Sequence, residues 1–310
     1  MIDTINDQVI SLEERKQTVN RALWTNPYFY KMDFPILQGT KADSLVTGKV
    51  GIGRDFYLTE VKDNGCTLLD LNVALVKLQL YTGYNISPYN YNLVKLQNSF
   101  ITTDARFRTA AAARQFQDKQ FESLPFLIRQ NDSLYADVSN DVTAFNSGTY
   151  TIVLKGFNIC KNAAFGSTEV QQINDSLAKD VEWQIFKLLV TDTIDDEGKK
   201  QYFLENDRYP RLILGFGAIN INPDPTLASN MLVSITDISR QLQLTDQAIP
   251  LEYIAPRLPL VEDTHIYYLP IEYYFQPYAK LQFDINNIWL GGREEPVPNG
   301  AEIAILTRTV

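Results

Sequence analysis

The side chains that most often carry enzyme chemistry are scarce in this sequence. The chain contains one histidine, His265, and two widely separated cysteines, Cys66 and Cys160. Zinc centres that need two or three histidines are therefore excluded, and so is a CxxC motif. A nucleophile–histidine–acid triad would have His265 as its only base. Because no serine or cysteine nucleophile motif accompanies it, we interpret His265 as a structural or exposed histidine at the start of a strand.

Three further patterns are candidates for binding or catalytic sites. The acidic cluster at 192–197 lacks the EF-hand spacing, and the lysines after it favour a solvated hairpin loop over a Ca²⁺ site. The glycines in segments 48–53 and 215–217 lack the order of a phosphate loop, so they predict turns or close backbone packing. A pair of carboxylates for glycoside hydrolysis stays open, because spatial pairing is invisible in a sequence. The sequence thus predicts a protein that is not an enzyme, with no catalytic residue, no cofactor and no metal.

The charge balance narrows the range of partners. The chain has 28 Lys and Arg against 37 Asp and Glu, a formal net charge of −9. This acidity argues against unspecific nucleic-acid binding and against docking on an anionic bilayer. No apolar run approaches the roughly 18 residues of a membrane span, and residues 1–4 lack the layout of a signal peptide. We expect both cysteines to be reduced and buried.

Helical patterns are few. Residues 4–24 are predicted to form a helix, with a capping box between Ser11 and Glu14. The alanine-rich segment 103–121 predicts a helical insertion between strands, and the polar segment 167–180 predicts a helical connector.

Short strands dominate the rest of the chain. The aromatic content of 12% and the alternation of apolar and polar residues favour pleated, half-buried surfaces. Segment 68–80 fits either a helix or a strand. The other strand patterns lie at 50–58, 134–139, 149–155, 183–191, 201–204, 211–216, 231–236, 251–254, 266–274, 281–285 and 301–307. Many short strands broken by Pro, Asn and Gly indicate an all-β sandwich or barrel.

The sequence also contains an internal duplication. Four segments recur in the same order: Phe56–Leu58 as Tyr202–Leu204, Leu124-Pro125 as Leu269-Pro270, Leu134–Asn140 as Leu281–Asn287, and Thr151–Leu154 as Ile303–Leu306. We therefore predict two barrels in which these segments occupy equivalent positions. The side chains expected to point inward are Leu134, Ala136 and Val138 in the first half, and Leu281, Phe283 and Ile285 in the second.

The segments 124–156 and 269–306 carry a resemblance to a known family. Two tandem all-β domains in an acidic chain without a catalytic motif resemble the double jelly-roll major capsid proteins of tailless, membrane-containing bacteriophages. The resemblance covers the whole chain, although the helical insertion at 103–121 has no counterpart in the second half. It implies an all-β fold of two tandem jelly-roll barrels with a short helical arm and insertions. The implied parts are an N-terminal helical arm at 1–33, a first jelly roll at 34–160, a connector at 161–182 and a second jelly roll at 183–310.

The same resemblance implies a structural role. The chain would form homotrimers whose six barrels make a pseudo-hexagonal tile of an icosahedral capsid, located in the virion and synthesised in the host cytoplasm. Its partners would be itself, neighbouring capsomers, minor capsid and penton proteins and an internal viral membrane, without specific nucleic-acid binding. Two alternatives stay open. A carbohydrate-binding or adhesion module would present an exposed aromatic cleft, and an enzyme on a sandwich scaffold would have a deep pocket with two carboxylates of unequal pKa.

Overall fold

Strands account for most of the described chain, and helices are few. A computed structural model describes residues 10–36, 39, 41, 45–63, 76–82, 102–103, 126–140, 148–159, 167–190, 199–220, 231–251, 254, 257–258, 266–287 and 301–310. The helices within these residues are α1 (Leu12–Trp24) and α2 (Ser167–Leu177). None of the described helices is long and apolar enough to cross a membrane.

The first half of the chain folds into two four-stranded sheets. Its strands are β1 (Thr25–Ile36), β2 (Leu45–Gly51), β3 (Phe56–Asp63), β4 (Val76–Thr82), β5 (Thr102–Thr103), β6 (Phe126–Ile128), β7 (Ser133–Asn140) and β8 (Gly148–Ile159). One sheet has the order β1-β8-β3-β6 and the other has the order β2-β7-β4-β5. Every described pair in these sheets is antiparallel.

The second half repeats this arrangement. Its strands are β9 (Trp183–Val190), β10 (Lys199–Glu205), β11 (Arg211–Asn220), β12 (Met231–Asp237), β13 (Leu242–Gln243), β14 (Ile249–Pro250), β15 (Arg257–Leu258), β16 (Tyr267–Phe275), β17 (Lys280–Asn287) and β18 (Ala301–Thr309). One sheet has β9, β18 and β11 in order, and both β15 and β16 pair with β11. The other sheet has the order β10-β17-β12-β13, and β14 also pairs with β12.

The strand order defines two jelly rolls. In each half, when the two-residue strands β5, β13, β14 and β15 are set aside, successive strands alternate between two sheets, as they do in a jelly roll. Strand β1 corresponds to β9, β2 to β10, β3 to β11, β4 to β12, β6 to β16, β7 to β17 and β8 to β18. The fold is therefore all-β with two tandem jelly rolls, as predicted.

The predicted equivalence of Leu134–Asn140 and Leu281–Asn287 is confirmed. These segments form β7 and β17, each the second strand of its sheet as listed above. Leu134 is buried, and so are Leu281, Phe283 and Ile285. The side chains of Ala136 and Val138 lie outside the described part of the structure, as does the Leu124-Pro125 pair.

Two other predicted equivalences are wrong. Phe56–Leu58 lies in β3, whereas Tyr202–Leu204 lies in β10, a strand of the other kind of sheet. The counterpart of β3 is β11. In the closing strands, the sequence alignment is one residue out of register. A one-residue slip in a strand moves every side chain to the opposite face.

Burial fixes the correct register of the closing strands. Ile303 and Ile305 of β18 point into the core of the second barrel, and Leu306 points outward. In β8, Val153 packs against the second barrel, so Ile152 and Leu154 point into the first. Leu306 therefore corresponds to Lys155 and not to Leu154.

A bulge at the same position in both barrels supports this register. In β3, the pairing with β8 shifts between Leu58 and Glu60, and Glu60 pairs with Lys155. In β11, the pairing with β18 shifts between Ile213 and Gly215, and Gly215 pairs with Leu306. Such bulges bend a strand and are retained as features of a barrel rather than as defects. Both barrels thus bend the same strand at the same point.

The capping box predicted for α1 is confirmed. The backbone amide of Glu14 donates to Ser11 Oγ at 3.2 Å, and the amide of Ser11 donates to Glu14 Oε2 at 2.9 Å. The described helix begins at Leu12 and ends at Trp24. Residues 25–33, which were predicted to belong to the helical arm, instead form the first part of β1. β1 is an edge strand, where Pro27 is tolerated because no ladder partner needs its missing amide proton.

Both helices pack on the outer face of the second barrel. Val19 and Ala22 of α1 and Ile173 of α2 form one buried cluster with residues of β11, β16 and β18. The helical connector predicted at 167–180 is confirmed in α2.

The strand predicted at 251–254 is wrong. Leu251 and Ile254 belong to a turn in which the Ile254 amide donates to the Leu251 carbonyl at 3.0 Å, and the pairing strand is β14.

Candidate functional site at the junction of the two barrels

The residues first considered for chemistry are not brought together in the described part of the chain. His265, both cysteines, the acidic cluster at 192–197 and residues 104–121 of the helical insertion predicted at 103–121 lie outside the described residues, whereas Thr103 belongs to β5. Among the residues that the structure does describe, no group of three or more His, Cys, Asp and Glu could hold a metal ion. Gly215 and Gly217 lie inside β11. The sequence predicts either turns or close backbone packing at these glycines, and Gly215 is a site of close packing.

The described tyrosines do not form one cluster either. Tyr273 and Tyr274 are buried in β16, whereas Tyr268 and Tyr278 are exposed. The Tyr273 hydroxyl donates to Asp237 Oδ2 at 2.5 Å, and burial raises the pKa of this tyrosine well above its usual value. Asp237 Oδ1 accepts the backbone amide of Arg240 at 3.0 Å, so the pair closes the turn after β12. This arrangement holds a turn and gives no acid–base pair.

The main contact between the barrels forms along the free edge of β1. Phe29 donates its amide to the Leu244 carbonyl at 3.0 Å, and the Phe29 carbonyl accepts the Asp246 amide at 3.0 Å. Phe29 and Thr245 form a parallel bridge. An uncovered edge strand is a template for uncontrolled pairing, and the second barrel covers this one. The two barrels are thus joined by main-chain hydrogen bonds as well as by side chains.

Apolar side chains extend this contact into the core of the second barrel. Phe29 is only 1% exposed, and both Phe29 and Val153 belong to the cluster that contains Phe216 and Phe283. Burial of a phenylalanine stabilises by about 1.5–3 kcal/mol relative to an exposed one. The junction is therefore a continuous hydrophobic contact and not a flexible linkage.

One charged network borders the junction. Lys155 Nζ lies 3.1 Å from Glu60 Oε2 and 5.9 Å from the ring centroid of Tyr267 in the second barrel. Both side chains of the Lys155–Glu60 pair are largely buried. A lysine over an aromatic face adds an electrostatic attraction that grows when water is excluded. This contact crosses between barrels and orients β8 against β16.

Asp246 is the titratable group placed most directly at the junction. Its Oδ1 accepts the backbone amide of Lys31 at 3.1 Å, on the same edge of β1 that Phe29 uses. Burial raises the pKa of Asp246 to about 6, although hydrogen bonds from Lys31 and Gln247 oppose the shift. An unfolded Asp titrates near 4, so between about pH 4 and 6 the folded chain holds a proton that the unfolded chain has lost. Stability therefore increases as the pH falls through this window, and the ionised carboxylate is a cost above it.

Asp246→Asn is expected to remove this pH dependence. The amide oxygen still accepts the Lys31 proton but cannot ionise, so the variant should be more stable than the wild type at pH 7.5 by about 1–2 kcal/mol. Urea unfolding of the wild type and of the variant at pH 4.5 and 7.5 measures how the free energy of unfolding of each protein changes with pH. Asp175→Asn, at an exposed position of α2, controls for the loss of one charge. If the free energy of unfolding of the variant changed with pH as much as that of the wild type, Asp246 would not titrate in this window.

An open cleft of about 570 Å³ lies beside the contact, between the barrels. Tyr28, Tyr30 and Arg54 of the first barrel face Thr236, Ile238 and residues 241–243 of the second across it. Burial raises the pKa of both tyrosines, so their hydroxyls stay neutral. Asn26 and Asn158 also line the cleft, and their buried amide oxygens accept no hydrogen bond within the described residues. No described carboxylate lines this cleft.

The sequence did not predict this junction, although a signal was present. Tyr28, Phe29 and Tyr30 are three consecutive aromatic residues in a strand, so both faces of the strand are apolar. A strand with two apolar faces is buried on both sides. Here the even-numbered residues face the first barrel and Phe29 faces the second.

The chain has weak similarity to solved structures. No protein-family model and no curated protein sequence matches the chain. Among solved structures, the chain is similar to VP54 of PBCV-1, which was fitted into a reconstruction of the virophage Sputnik. That alignment has 10% identity and a TM-score of 0.21, and it covers 93% of this chain and 95% of VP54. A second similar structure is the major capsid protein P2 of bacteriophage PM2, with 11% identity, a TM-score of 0.20 and coverage of 90% and 97%. The strand order and register, and not these alignments, define the double jelly roll.

Proposed function

We propose that the protein is a structural subunit of an icosahedral viral capsid and assembles as trimeric, pseudo-hexameric capsomers. The observation that carries the proposal is the side-to-side packing of two jelly rolls with the same strand order inside one chain. A barrel with covered edges can tile a surface without uncontrolled strand addition. Duplication allows a three-fold object to present six similar sides, which suits a closed shell.

The finer features of the proposal follow from the sequence resemblance. We assign the first jelly roll to the segment from β1 (Thr25–Ile36) to residue 160, the connector to 161–182 and the second jelly roll to 183–310, with a helical arm before them whose described helix ends at Trp24. Size and layout resemble those of the coat protein of the Flavobacterium-infecting phage FLiP. This resemblance implies a location in the virion of a tailless, membrane-containing phage, with contacts to other copies of the chain, to minor capsid and penton proteins and to an internal membrane.

The carbohydrate-binding alternative has one observation in its favour. The inter-barrel cleft combines two tyrosines, an arginine and four side-chain amides, a set that suits a hydroxylated ligand. A glycan-binding module of this kind needs no second copy of the chain. The two functions therefore differ in the oligomeric state that each requires.

The purified protein is expected to be a stable homotrimer. Association would bury apolar surface at about 25 cal/mol per Å² before the costs of association are subtracted. Because the net charge of −9 per chain opposes contact, the interface should be mainly apolar and hydrogen-bonded and should survive moderate salt. Light scattering coupled to size exclusion, at low and high salt, measures the mass, and negative-stain microscopy shows the particle outline. A mass near the 35.3 kDa of one chain at micromolar concentration in both salts would contradict the proposal.

A further inference from the structure

Two buried asparagines beside the junction have amide oxygens that the fold does not use. Asn26 is 1% exposed and Asn158 is 3% exposed, and neither Oδ1 accepts a hydrogen bond within the described residues. The two residues are register partners on β1 and β8, so their side chains lie next to each other on one face of the sheet. A buried carbonyl group without a donor lowers the stability of the folded chain. The described fold therefore gives no reason for two adjacent asparagines at this place.

A third buried asparagine shows what a purely structural role requires. Asn206 is 5% exposed, and its Nδ2 donates to three backbone carbonyls at 2.8–3.0 Å. Its Oδ1 accepts the Asp207 amide at 2.9 Å, so both ends of this side chain are occupied. In Asn26, by contrast, Nδ2 makes a long contact of 3.4 Å with the Gln243 carbonyl, and Oδ1 has no described donor. The pair at the junction thus differs from an asparagine that serves the fold.

Asn26 and Asn158 line the open cleft of about 570 Å³ between the barrels. Clefts of about 300–1,000 Å³ are the usual size of small-molecule sites. Tyr28 follows Asn26 on the same face of β1, and its ring contacts that of Tyr30 edge to face, with 4.7 Å between the centroids. Phe56 contacts Tyr30 in the same manner at 4.9 Å, so the aromatic wall of the cleft is fixed by packing.

The lining of the cleft favours a neutral ligand with hydroxyl groups. Among the described residues that line it, Arg54 is the one with a charged side chain, so the cleft offers no carboxylate to a cationic ligand. An anion would lie against the amide oxygens of Asn26 and Asn158. A hydroxyl group both donates and accepts, so it pairs with either end of a side-chain amide. The terminal torsion of asparagine is soft, and a small rotation turns Oδ1 toward a ligand.

We propose that this cleft binds a small neutral sugar, whose hydroxyl groups supply the donors that Asn26 and Asn158 lack. The opposite wall, which includes Thr236, Ile238 and Gln243, belongs to the second barrel, so the sugar contacts both barrels. A ligand that binds only the docked barrels stabilises the docked arrangement. The site lies within one chain and requires no second copy. This inference therefore goes beyond the structural role proposed above.

Saturation-transfer NMR with neutral sugars tests the site. The probes are methyl α-glucoside, methyl α-galactoside, methyl α-mannoside and N-acetylglucosamine, each at about 10 mM, so that dissociation constants in the millimolar range are detected. At least one of them should receive saturation from the wild-type protein. Methyl β-glucuronide, which carries a carboxylate, is the charged comparison and should bind more weakly. Binding of the glucuronide alone would overturn the proposal, because Arg54 and not the amides would then select the ligand.

Asn158→Leu separates binding from folding. Leucine has a similar shape but no amide, so the dissociation constant of the bound sugar should rise at least about fivefold. Without sugar, the variant should unfold at a urea concentration no lower than the wild type, because it loses a buried oxygen that has no described partner. Asn174→Leu, at an exposed position of α2, is the matched control and should bind the sugar as the wild type does. Asn206→Leu should instead lower the urea midpoint, because it removes a fully bonded amide.

Gln243→Ala extends the test to the second barrel. Gln243 is exposed and lines the cleft, so the variant should fold normally and weaken binding at least about threefold. Unchanged affinity would overturn a site shared by both barrels.

Three other results would overturn the proposal. They are the absence of saturation transfer to all four neutral probes, wild-type affinity in folded Asn158→Leu, and a loss of stability in Asn158→Leu, which would assign its amide to the fold. Light scattering measures the oligomeric state separately. A wild-type trimer that binds no sugar would leave the capsid proposal standing, and a monomer that binds sugar would leave this inference standing.

Discussion

Gly215→Ala should destabilise the second barrel by about 3 kcal/mol or more, a large effect for a single methyl group. Gly215 lies at the bulge of β11, where β11 meets β16 and β18. A Cβ atom at this position would lie 2.3 Å from the Tyr267 carbonyl oxygen and 2.7 Å from Ile266 Cγ2. The carbonyl belongs to the backbone of β16, so relief of the clash requires the two strands to separate. Urea unfolding followed by circular dichroism measures the loss.

Gly51→Ala is the matched control for this change. Nothing lies within 4 Å of a Cβ built on Gly51, so the added methyl group should change stability by less than about 1 kcal/mol. Gly156→Ala extends the test to the first barrel. A Cβ on Gly156 would lie 2.1 Å from the Tyr57 carbonyl oxygen, beside the equivalent bulge of β3. Equal stability of Gly51→Ala and Gly215→Ala would show that β16 adjusts without cost.

Gly215 shows how far the sequence reveals a close contact. Gly215 was predicted to be a turn or a site of close packing, and the structure shows close packing within a strand. The physical reason for choosing glycine, a carbonyl oxygen of a neighbouring strand, comes from a part of the chain far away in sequence. A sequence reveals the missing side chain but not the atom that requires its absence.

The duplication was recognised where the strands have one apolar face. In β17, Leu281, Phe283 and Ile285 alternate with polar residues, and this pattern sets both register and orientation. In β8, Ile152, Val153 and Leu154 are all buried, because the first barrel takes one face and the second barrel takes the other.

The closing strand β18 is buried on both faces for a different reason. Ile303 and Ile305 point into the second barrel, and Leu306 lies under the helices. Because neither strand alternates apolar with polar residues, the sequence alignment of β8 with β18 has no marker of register, and the predicted alignment is wrong by one residue.

The wrong match of Phe56–Leu58 with Tyr202–Leu204 has a related cause. Both are short apolar strands, and composition does not reveal to which sheet a strand belongs.

The capping box could be predicted from the sequence, whereas the junction between the barrels could not. The capping box between Ser11 and Glu14 uses only local geometry, so the sequence was sufficient to predict it. The contact of Phe29 with Leu244 and Asp246 joins segments far apart in sequence through backbone atoms. Backbone hydrogen bonds carry no residue preference that a single sequence could display. The candidate site therefore emerged only from the fold.

Arg15→Met should detach α1 from the second barrel and lower the stability of the chain by about 3 kcal/mol. The Arg15 side chain is buried and donates to three backbone carbonyls. Nη1 binds the Lys179 carbonyl at 2.8 Å, and Nη2 binds the carbonyls of Ser176 at 3.2 Å and Val310 at 2.5 Å. One guanidinium thus joins α1, the end of α2 and the segment after β18. Methionine fills much of the same volume but donates to none of these carbonyls. The Ser176 carbonyl keeps the Lys179 amide at 3.0 Å, and the Val310 carbonyl keeps the Ser176 hydroxyl at 3.1 Å. The expected cost therefore comes from the loss of hydrogen bonds to a charged group, each of which contributes about 1.5–3 kcal/mol.

Arg21→Met, in the same helix, is the control for the Arg15 prediction. Arg21 forms an ion pair with Glu272 at 2.6 Å, but its side chain is 54% exposed. Exposed ion pairs contribute about 0–1 kcal/mol, so this variant should unfold close to the wild-type midpoint. Urea unfolding gives the two stabilities, and limited proteolysis between Ser11 and Trp24 reports whether α1 stays docked. We expect Arg15→Met to be cleaved in this segment at least about tenfold faster than Arg21→Met. Equal cleavage and equal stability would mean that the apolar contacts of Val19 and Ala22 alone hold the helix, and the role assigned to Arg15 would be wrong.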